Sequence, residues 1–331
     1  MTNQLINGDE RASSAHPAGP HYVHAEPAPE LTELHAQALV YERLPTTPVS
    51  VIINWCQRAH DCLARLARND PSGIKQWQEL LLPFLLKSAF LQRCHDKPQG
   101  YAGDYLTIQM MYDDAPRGID HFGRAVDFWA MAQPCPRAVR NRRRLVGDLV
   151  RQACEKFSAP SVVSLGSGPA AEVFDLLPRH NARFTLIDID ADAIGYVQEK
   201  ARLCSAAGRV ATVQGNIIKM VLRDEGRLPG NHATFYSMGL IDYFRDDLVI
   251  RLLNYIHAKL APGGTVLLGN FRPDHPNVAL FQHALDWPLV LRSEQELLRL
   301  VGQSQFARSP AKMGTEAEGV QLFVSCVKRD G

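Results

Sequence analysis

The chain has 331 residues and lacks an excess of either charge: its formal net charge is +1, which gives no global pull toward nucleic acid or an anionic membrane. It contains no run of 18 or more apolar residues, and no apolar h-region follows Met1, so neither a membrane span nor a secretory leader is expected. Cysteines are few and unpatterned. The seven are odd in number and include no C-x-x-C, so neither a disulfide framework nor a zinc cluster is indicated. These absences lead to the expectation of a soluble cytoplasmic protein without a structural metal. Residues 1–28 also lack any apolar period and read as a disordered tail. His16, His21 and His24 lie there with no carboxylate partner and are not expected to hold a metal.

What the chain does have is 46% hydrophobic residues, enough for two modest domains with cores. From about Glu30 to Leu91 apolar residues recur at three and four, as in Val51, Trp55, Ala59, Cys62 and Leu66. That spacing puts them on one helical face. Residues 29–145 are therefore expected to form an all-helical domain, with a kink or break at Pro83. Residues 146–331 are expected to form a second, α/β domain.

The second domain is organised around Ser161 to Asp190, which reads as strand, tight turn, helix, strand, the opening of a doubly wound parallel sheet. Gly166 and Gly168 supply positive φ angles and a close backbone approach. The helix starting near Ala170 turns its free N–H groups toward the same place. Asp188, at the end of the next strand, is placed to accept hydrogen bonds from two ribose hydroxyls. This combination describes an adenosine-containing cofactor. Gly166, Gly168 and Ala171 also satisfy the G-x-G-x-x-A form of the dinucleotide fingerprint, so the turn alone does not choose the cofactor.

Later segments do choose. The run HATFYSMGLIDYF reads as a fourth strand ending in polar and aromatic groups, followed by a helix from Asp246 to Lys259. LAPGGTVLLGNF is a turn plus a fifth strand, and GVQLFVSCVKR a terminal strand. This order resembles the class I S-adenosylmethionine-dependent methyltransferases. The resemblance implies a Rossmann-like sheet of seven strands with the last inserted antiparallel, and S-adenosylmethionine as cofactor.

A narrower resemblance rests on GYAGDY, VRNRRRL, SLGSGPAAE, GLIDYF, GNF and DWPLVLRS. These blocks look like a bacterial family of 3-hydroxy fatty acid methyl ester (quorum-signal) biosynthesis methyltransferases with a helical N-terminal domain. The likeness covers Lys97 to the C-terminus. It carries cofactor binding onto Gly166, Gly168, Asp188 and Asn216, with Ile217 and Ser237 beside them, and an acceptor-pocket role onto Tyr101, Asp104, Asp242 and Tyr243. Many class I members place Asp where this chain has Asn216, whose carbonyl can still accept from the adenine amine. Ile217 is read either as packing on the adenine ring or as an ordinary helix-start residue.

Methyl transfer from a sulfonium is an in-line displacement that needs alignment, exclusion of water and, for a hydroxyl or amine acceptor, a base. Asp242, Asp104 and His275 are the base candidates; for a carboxylate acceptor they only position. Segment 97–112, which carries Tyr101 and Asp104, reads as a lid over the acceptor pocket, with a plain Asp N-cap at 104 as the structural alternative. The run Arg137, Arg140, Arg142, Arg143 and Arg144 reads first as a solvated helix face. One arginine turned inward toward a carboxylate, or an anionic carrier-bound acceptor, is the alternative reading. The sequence thus points to methylation of a small molecule, with a fatty acid carboxylate or a secondary metabolite as acceptor classes. A nicotinamide-dependent oxidoreductase and a non-catalytic cofactor-binding regulator are the competing classes.

Overall fold

The structure is a computed structural model that describes residues 28–224 and 228–329; residues 1–27 of the expected tail, with its histidines, fall outside them. Eight helices come first: α1 (Pro29–Arg43), α2 (Val49–Asn69), α3 (Ile74–Leu80), α4 (Leu82–Leu85), α5 (Ala89–Asp96), α6 (Tyr105–Asp113), α7 (His121–Met131) and α8 (Pro134–Lys156). The predicted interruption at Pro83 is the break between α3 and α4, with the proline in the first turn of α4, where its missing N–H costs nothing. The α2 stripe buries Trp55, Ala59 and Cys62 as expected. It is centred on Ile52 and Leu63, and Val51 and Leu66 lie only half-buried at its margins.

The α/β part then runs β1 (Ser161–Leu165), α9 (Ala171–Leu176), β2 (Arg183–Asp188), α10 (Ala191–Leu203), β3 (Val210–Gln214), α11 (Ile217–Arg223) and β4 (His232–Ser237). It continues through α12 (Asp246–Lys259), β5 (Leu260–Phe271), α13 (Glu294–Gly302), β6 (Ala311–Thr315) and β7 (Gln321–Val327). The seven strands lie in the order β3-β2-β1-β4-β5-β7-β6, and β7 alone is antiparallel to its neighbours. This is the class I methyltransferase sheet. Its order reverses between β1 and β4, the switch point where open α/β sheets bind ligands.

Two cores cover the faces of the sheet, and a third fills the helical region. The helical core is continuous with the chain after β5: Phe271, Leu280, Phe281, Leu285 and Trp287 are buried among residues of α1 to α8. Helix α8 belongs to both regions, with Cys135, Ala138 and Val139 in the helical core and Val146, Leu149 and Val150 against the sheet. The helical region is thereby fixed to the carboxyl edge of the sheet. Among the described residues no helix is long and apolar enough to cross a membrane.

Candidate active site

The glycine turn follows β1 directly. The backbone N–H groups of Gly166 and Ser167 both donate to the Ile187 carbonyl, at 2.9 and 3.1 Å, which curls the chain back over the end of β2. Gly166 and Gly168 have φ of 65° and 52°, in the left-handed region that penalises side chains. Space above Gly168 is open: a Cβ built there meets nothing within 4 Å. Asp188 is buried at the end of β2, accepting from Gly168 N at 2.8 Å and from Asp190 N at 3.1 Å. Burial raises its pKa, and the two backbone donors oppose that rise.

Opposite the turn lies the tip that leads into α6. Tyr101 donates to Asp190 Oδ2 at 2.8 Å, beside Asp188, so this residue of the helical region reaches across to the end of β2. Gly103, with φ of 75°, lies so close to the sheet that a Cβ would sit 2.8 Å from Trp287 Cζ2 and 2.9 Å from the Tyr243 hydroxyl. Tyr243 donates to the Ala102 carbonyl at 3.0 Å and accepts from Trp287 Nε1 at 2.9 Å. Its ring stays 46% exposed while its hydroxyl is enclosed. Burial drives both the Tyr101 and the Tyr243 phenols upward, and hydrogen bonding to Asp190 adds to the rise at Tyr101. Both therefore remain protonated donors.

Asp242 is 1% exposed, and its Oδ1 accepts from Phe271 N at 2.8 Å. Burial raises its pKa to about 7, against the lowering influence of Arg142 and Arg292. Gly239 lies between it and Arg142: a Cβ there would be 3.4 Å from Arg142 Nη1 and 3.6 Å from Asp242 Oδ2. Arg142 is the arginine of the basic run that turns inward. It is 6% exposed, donates to the Met238 carbonyl at 2.8 Å and keeps Nε without a partner. Ser167 Oγ and Gln321 Oε1 are likewise buried and unpartnered. Arg140 instead binds the Met111 and Met131 carbonyls, and Arg137 pairs with Glu318 at the surface.

The structure thus brings Gly166, Gly168, Asp188, Tyr101, Tyr243 and Asp242 to one edge, and it places the other expected residues differently. Asp104 is consumed as the N-cap of α6, accepting from Leu106 N and Thr107 N at 2.9 Å and pairing with Arg93 at 2.8 Å. The capping alternative accounts for it, and a base role does not fit its filled oxygens. Ser237 donates to the Leu165 carbonyl at 2.8 Å, tying the ends of β4 and β1 together instead of facing a cofactor. Ile217 is turned into the core at 7% exposure, so it offers no face to a ring; the exposed apolar residue beside Asp188 is Ile189. Asn216 accepts from Lys219 N as the cap of α11 and retains a second lone pair on the same oxygen. His275 is buried rather than exposed, with Nδ1 3.4 Å from Cys135 Sγ and its pKa lowered to about 4 by burial. It packs on Phe281, which stacks on Trp287, so two rings stand between it and Tyr243.

Sequence reasoning missed Arg292. It is 2% exposed and donates to the carbonyls of Ile241 at 2.9 Å and Phe244 at 2.5 Å, to Asn270 Oδ1 at 2.7 Å and to Asp246. It holds the ends of the turn that carries Asp242 and Tyr243. Among the described residues no cluster of three His, Cys, Asp or Glu could hold a metal.

No family model matches the chain. A possible exported protein of Bordetella parapertussis, 16% identical, aligns over 95% of this chain and 100% of its own with a TM-score of 0.56, a likeness of fold. The magnesium protoporphyrin IX methyltransferase ChlM of Synechocystis PCC 6803, solved with bound SAM, is 14% identical. It aligns over 59% of this chain and 83% of its own at a TM-score of 0.43, too distant to bear on the chemistry. The uncharacterized protein YnbC of Escherichia coli K12 is 23% identical over 238 residues, 68% of this chain. The chain spans 40% of the length of that curated relative.

Proposed function

We propose that the protein transfers a methyl group from S-adenosylmethionine to an oxygen or nitrogen of a small molecule. The observation that carries this is the open left-handed turn at Gly168, at the switch point of a class I sheet, faced by the Tyr101 tip. The residues present fit an amino-acid nucleoside. Asp188 and Asp190 offer carboxylate acceptors for ribose hydroxyls, and Ile189 an apolar face beside them. Arg142 Nε and Ser167 Oγ, buried and unpartnered, would take the charged amino-acid end. When bound, the sulfonium supplies the electrophilic methyl group.

The chain's own groups then have limited work. Tyr101 and Tyr243 donate hydrogen bonds and define the mouth of the cleft, while Trp287 and the Ala102–Gly103 backbone exclude water. Asp242, held near neutrality by burial, accepts the proton of a hydroxyl or amine acceptor; a carboxylate acceptor would need no such step. The acceptor lies between the 100–104 tip and the turn after β4. A fatty acid carboxylate and a secondary metabolite are the acceptor classes that the sequence blocks support.

Calorimetry of the full chain with S-adenosylmethionine, S-adenosylhomocysteine and NAD(H) tests the reading. Binding of the first two and not the third is expected. Tight NAD(H) binding without any response to adenosylhomocysteine would replace it with an oxidoreductase.

A further inference from the structure

A second concave region lies away from this cleft, between α8 and α9. It is a groove of about 650 Å³, within the range of about 300–1,000 Å³ typical of small-molecule sites. One wall is the face of α8 that carries Arg140, Arg144 and Arg151, spread over roughly 16 Å at 1.5 Å per residue. The other wall carries Arg179 and His180, just after α9, and Arg143 also lines the groove.

The carboxylates nearby do not neutralise this set. Arg140 pairs with Asp114 at 3.2 Å, Arg143 with Asp175, and Arg151 with Asp148 and Glu155. Arg144 and Arg179, one on each wall, have no ion pair or side-chain hydrogen bond among the described residues. Glu172, the remaining acid of the lining, is fully buried, bonded to the Tyr236 hydroxyl at 2.8 Å and pushed toward its neutral form by burial. Four carboxylates thus pair with three of the five guanidiniums, and Arg144 and Arg179 are left without an acid in a chain whose net charge is +1. A solvated helix face would spread its arginines over one element. Here two elements converge them on one hollow.

We propose that this groove binds a phosphorylated small molecule, gripped between Arg144 and Arg179. Planar guanidinium forks match phosphate oxygens two at a time, and free forks on opposite walls suit a group with two or more negative charges. Arg143 and Arg151 can join at little cost, because their present ion pairs are solvent-exposed or half-exposed and weak, whereas Arg140 stays on the Met111 and Met131 carbonyls. The site does not rest on the methyltransferase reading, since it shares no residue with the cleft at the carboxyl edge of the sheet.

Titration calorimetry of the full chain with inorganic tripolyphosphate tests the site, repeated with coenzyme A and in the presence of saturating S-adenosylhomocysteine. Saturable one-to-one binding is expected, weakening with added salt, unchanged by adenosylhomocysteine and at least tenfold weaker in R144A/R179A. Tighter binding of coenzyme A than of tripolyphosphate would support a nucleotide-linked phosphate as the ligand, and the reverse order a bare polyphosphate. Both altered side chains are exposed, so a thermal melt checks folding, and R144A alone carries the test if the double variant unfolds. Three results overturn the proposal: no saturable binding, displacement by adenosylhomocysteine, or an equal loss in R251A, which removes an exposed arginine of α12.

Discussion

Replacing Arg292 with methionine keeps most of the buried stem and removes the guanidinium. Three buried acceptors then lose their donor: the carbonyls of Ile241 and Phe244, and Asn270 Oδ1. Asp246 keeps its second partner, Arg299, and its side chain is 43% exposed, so it contributes little to the loss. An unsatisfied buried acceptor costs about 1–3 kcal/mol. Simple addition over three would overshoot, because the freed turn can relax toward water; breaking a buried ionic centre costs about 3–5 kcal/mol in practice. Against a total stability of about 5–15 kcal/mol, that loss brings the chain near its folding threshold. Urea unfolding followed by circular dichroism should show the lowered midpoint, and hydrogen exchange should quicken first at residues 241–246. Arg292→Lys should recover only part, since a single ammonium cannot span acceptors on both sides of the turn. A loss below about 1 kcal/mol, with unchanged exchange at 241–246, would refute the view that Arg292 fixes the Asp242–Tyr243 turn.

Asp188→Ala should weaken adenosylhomocysteine binding by roughly ten- to a hundredfold, from about 1.5–3 kcal/mol for hydrogen bonds to a charged acceptor; an unchanged dissociation constant would move the ribose contact to Asp190. Tyr101→Phe removes the bond to Asp190 while leaving the α6 cap intact, so turnover should fall and exchange at residues 99–104 should rise without a change in melting temperature. Asp242 has its pKa raised to about 7 in the folded state from an ordinary 3.8, so its contribution to stability is present at low pH and lost as pH climbs to about 7. Asp242→Asn should therefore gain stability relative to the parent over that interval, by up to roughly 4 kcal/mol at about 1.4 kcal/mol per pH unit. If Asp242 is the base, the parent's activity rises through pH 7 and the Asn variant lacks that limb.

Much of this architecture was legible in periodicity and turn chemistry. The helix expected from Asp246 to Lys259 has those bounds, and the break at Pro83 follows from a missing N–H. The seven-stranded order came from the resemblance rather than from any local pattern, since register and strand order depend on pairings far apart in the chain. The site was harder to read because polar residues at element ends serve two purposes. Asp104 and Asn216 carry residue types that suit ligand contact and helix capping equally, and both prove to be caps. Arg142 did leave a signal. It falls between Val139 and Val146 at spacings of three and four, on the stripe that α8 buries, whereas Arg140 and Arg144 flank that stripe. Arg292 left none in any local pattern, because its partners, two backbone carbonyls and the side chains of Asn270 and Asp246, are brought close by folding.

The same layout determines where the cleft can widen. Helix α8 has 23 residues and passes without interruption from the helical core to the sheet, so the helical region cannot swing as a body without bending it. The tip between α5 and α6 is held differently. Lys97, Gly100 and Gly103 have φ of 48°, 80° and 75°, left-handed residues in a turn closed by the Gly100 N–H donating to the Lys97 carbonyl at 2.7 Å. Its side-chain ties are Lys97 to Asp286 at 2.8 Å, Gln99 to Asp192 at 3.3 Å and Tyr101 to Asp190 at 2.8 Å, together with the Tyr243 bond to the Ala102 carbonyl. The first two are exposed and individually weak. Displacing the tip would break the Tyr101 and Tyr243 hydroxyl bonds and the packing of Ala102 on the helical core, whereas swinging the whole helical region would require α8 to bend.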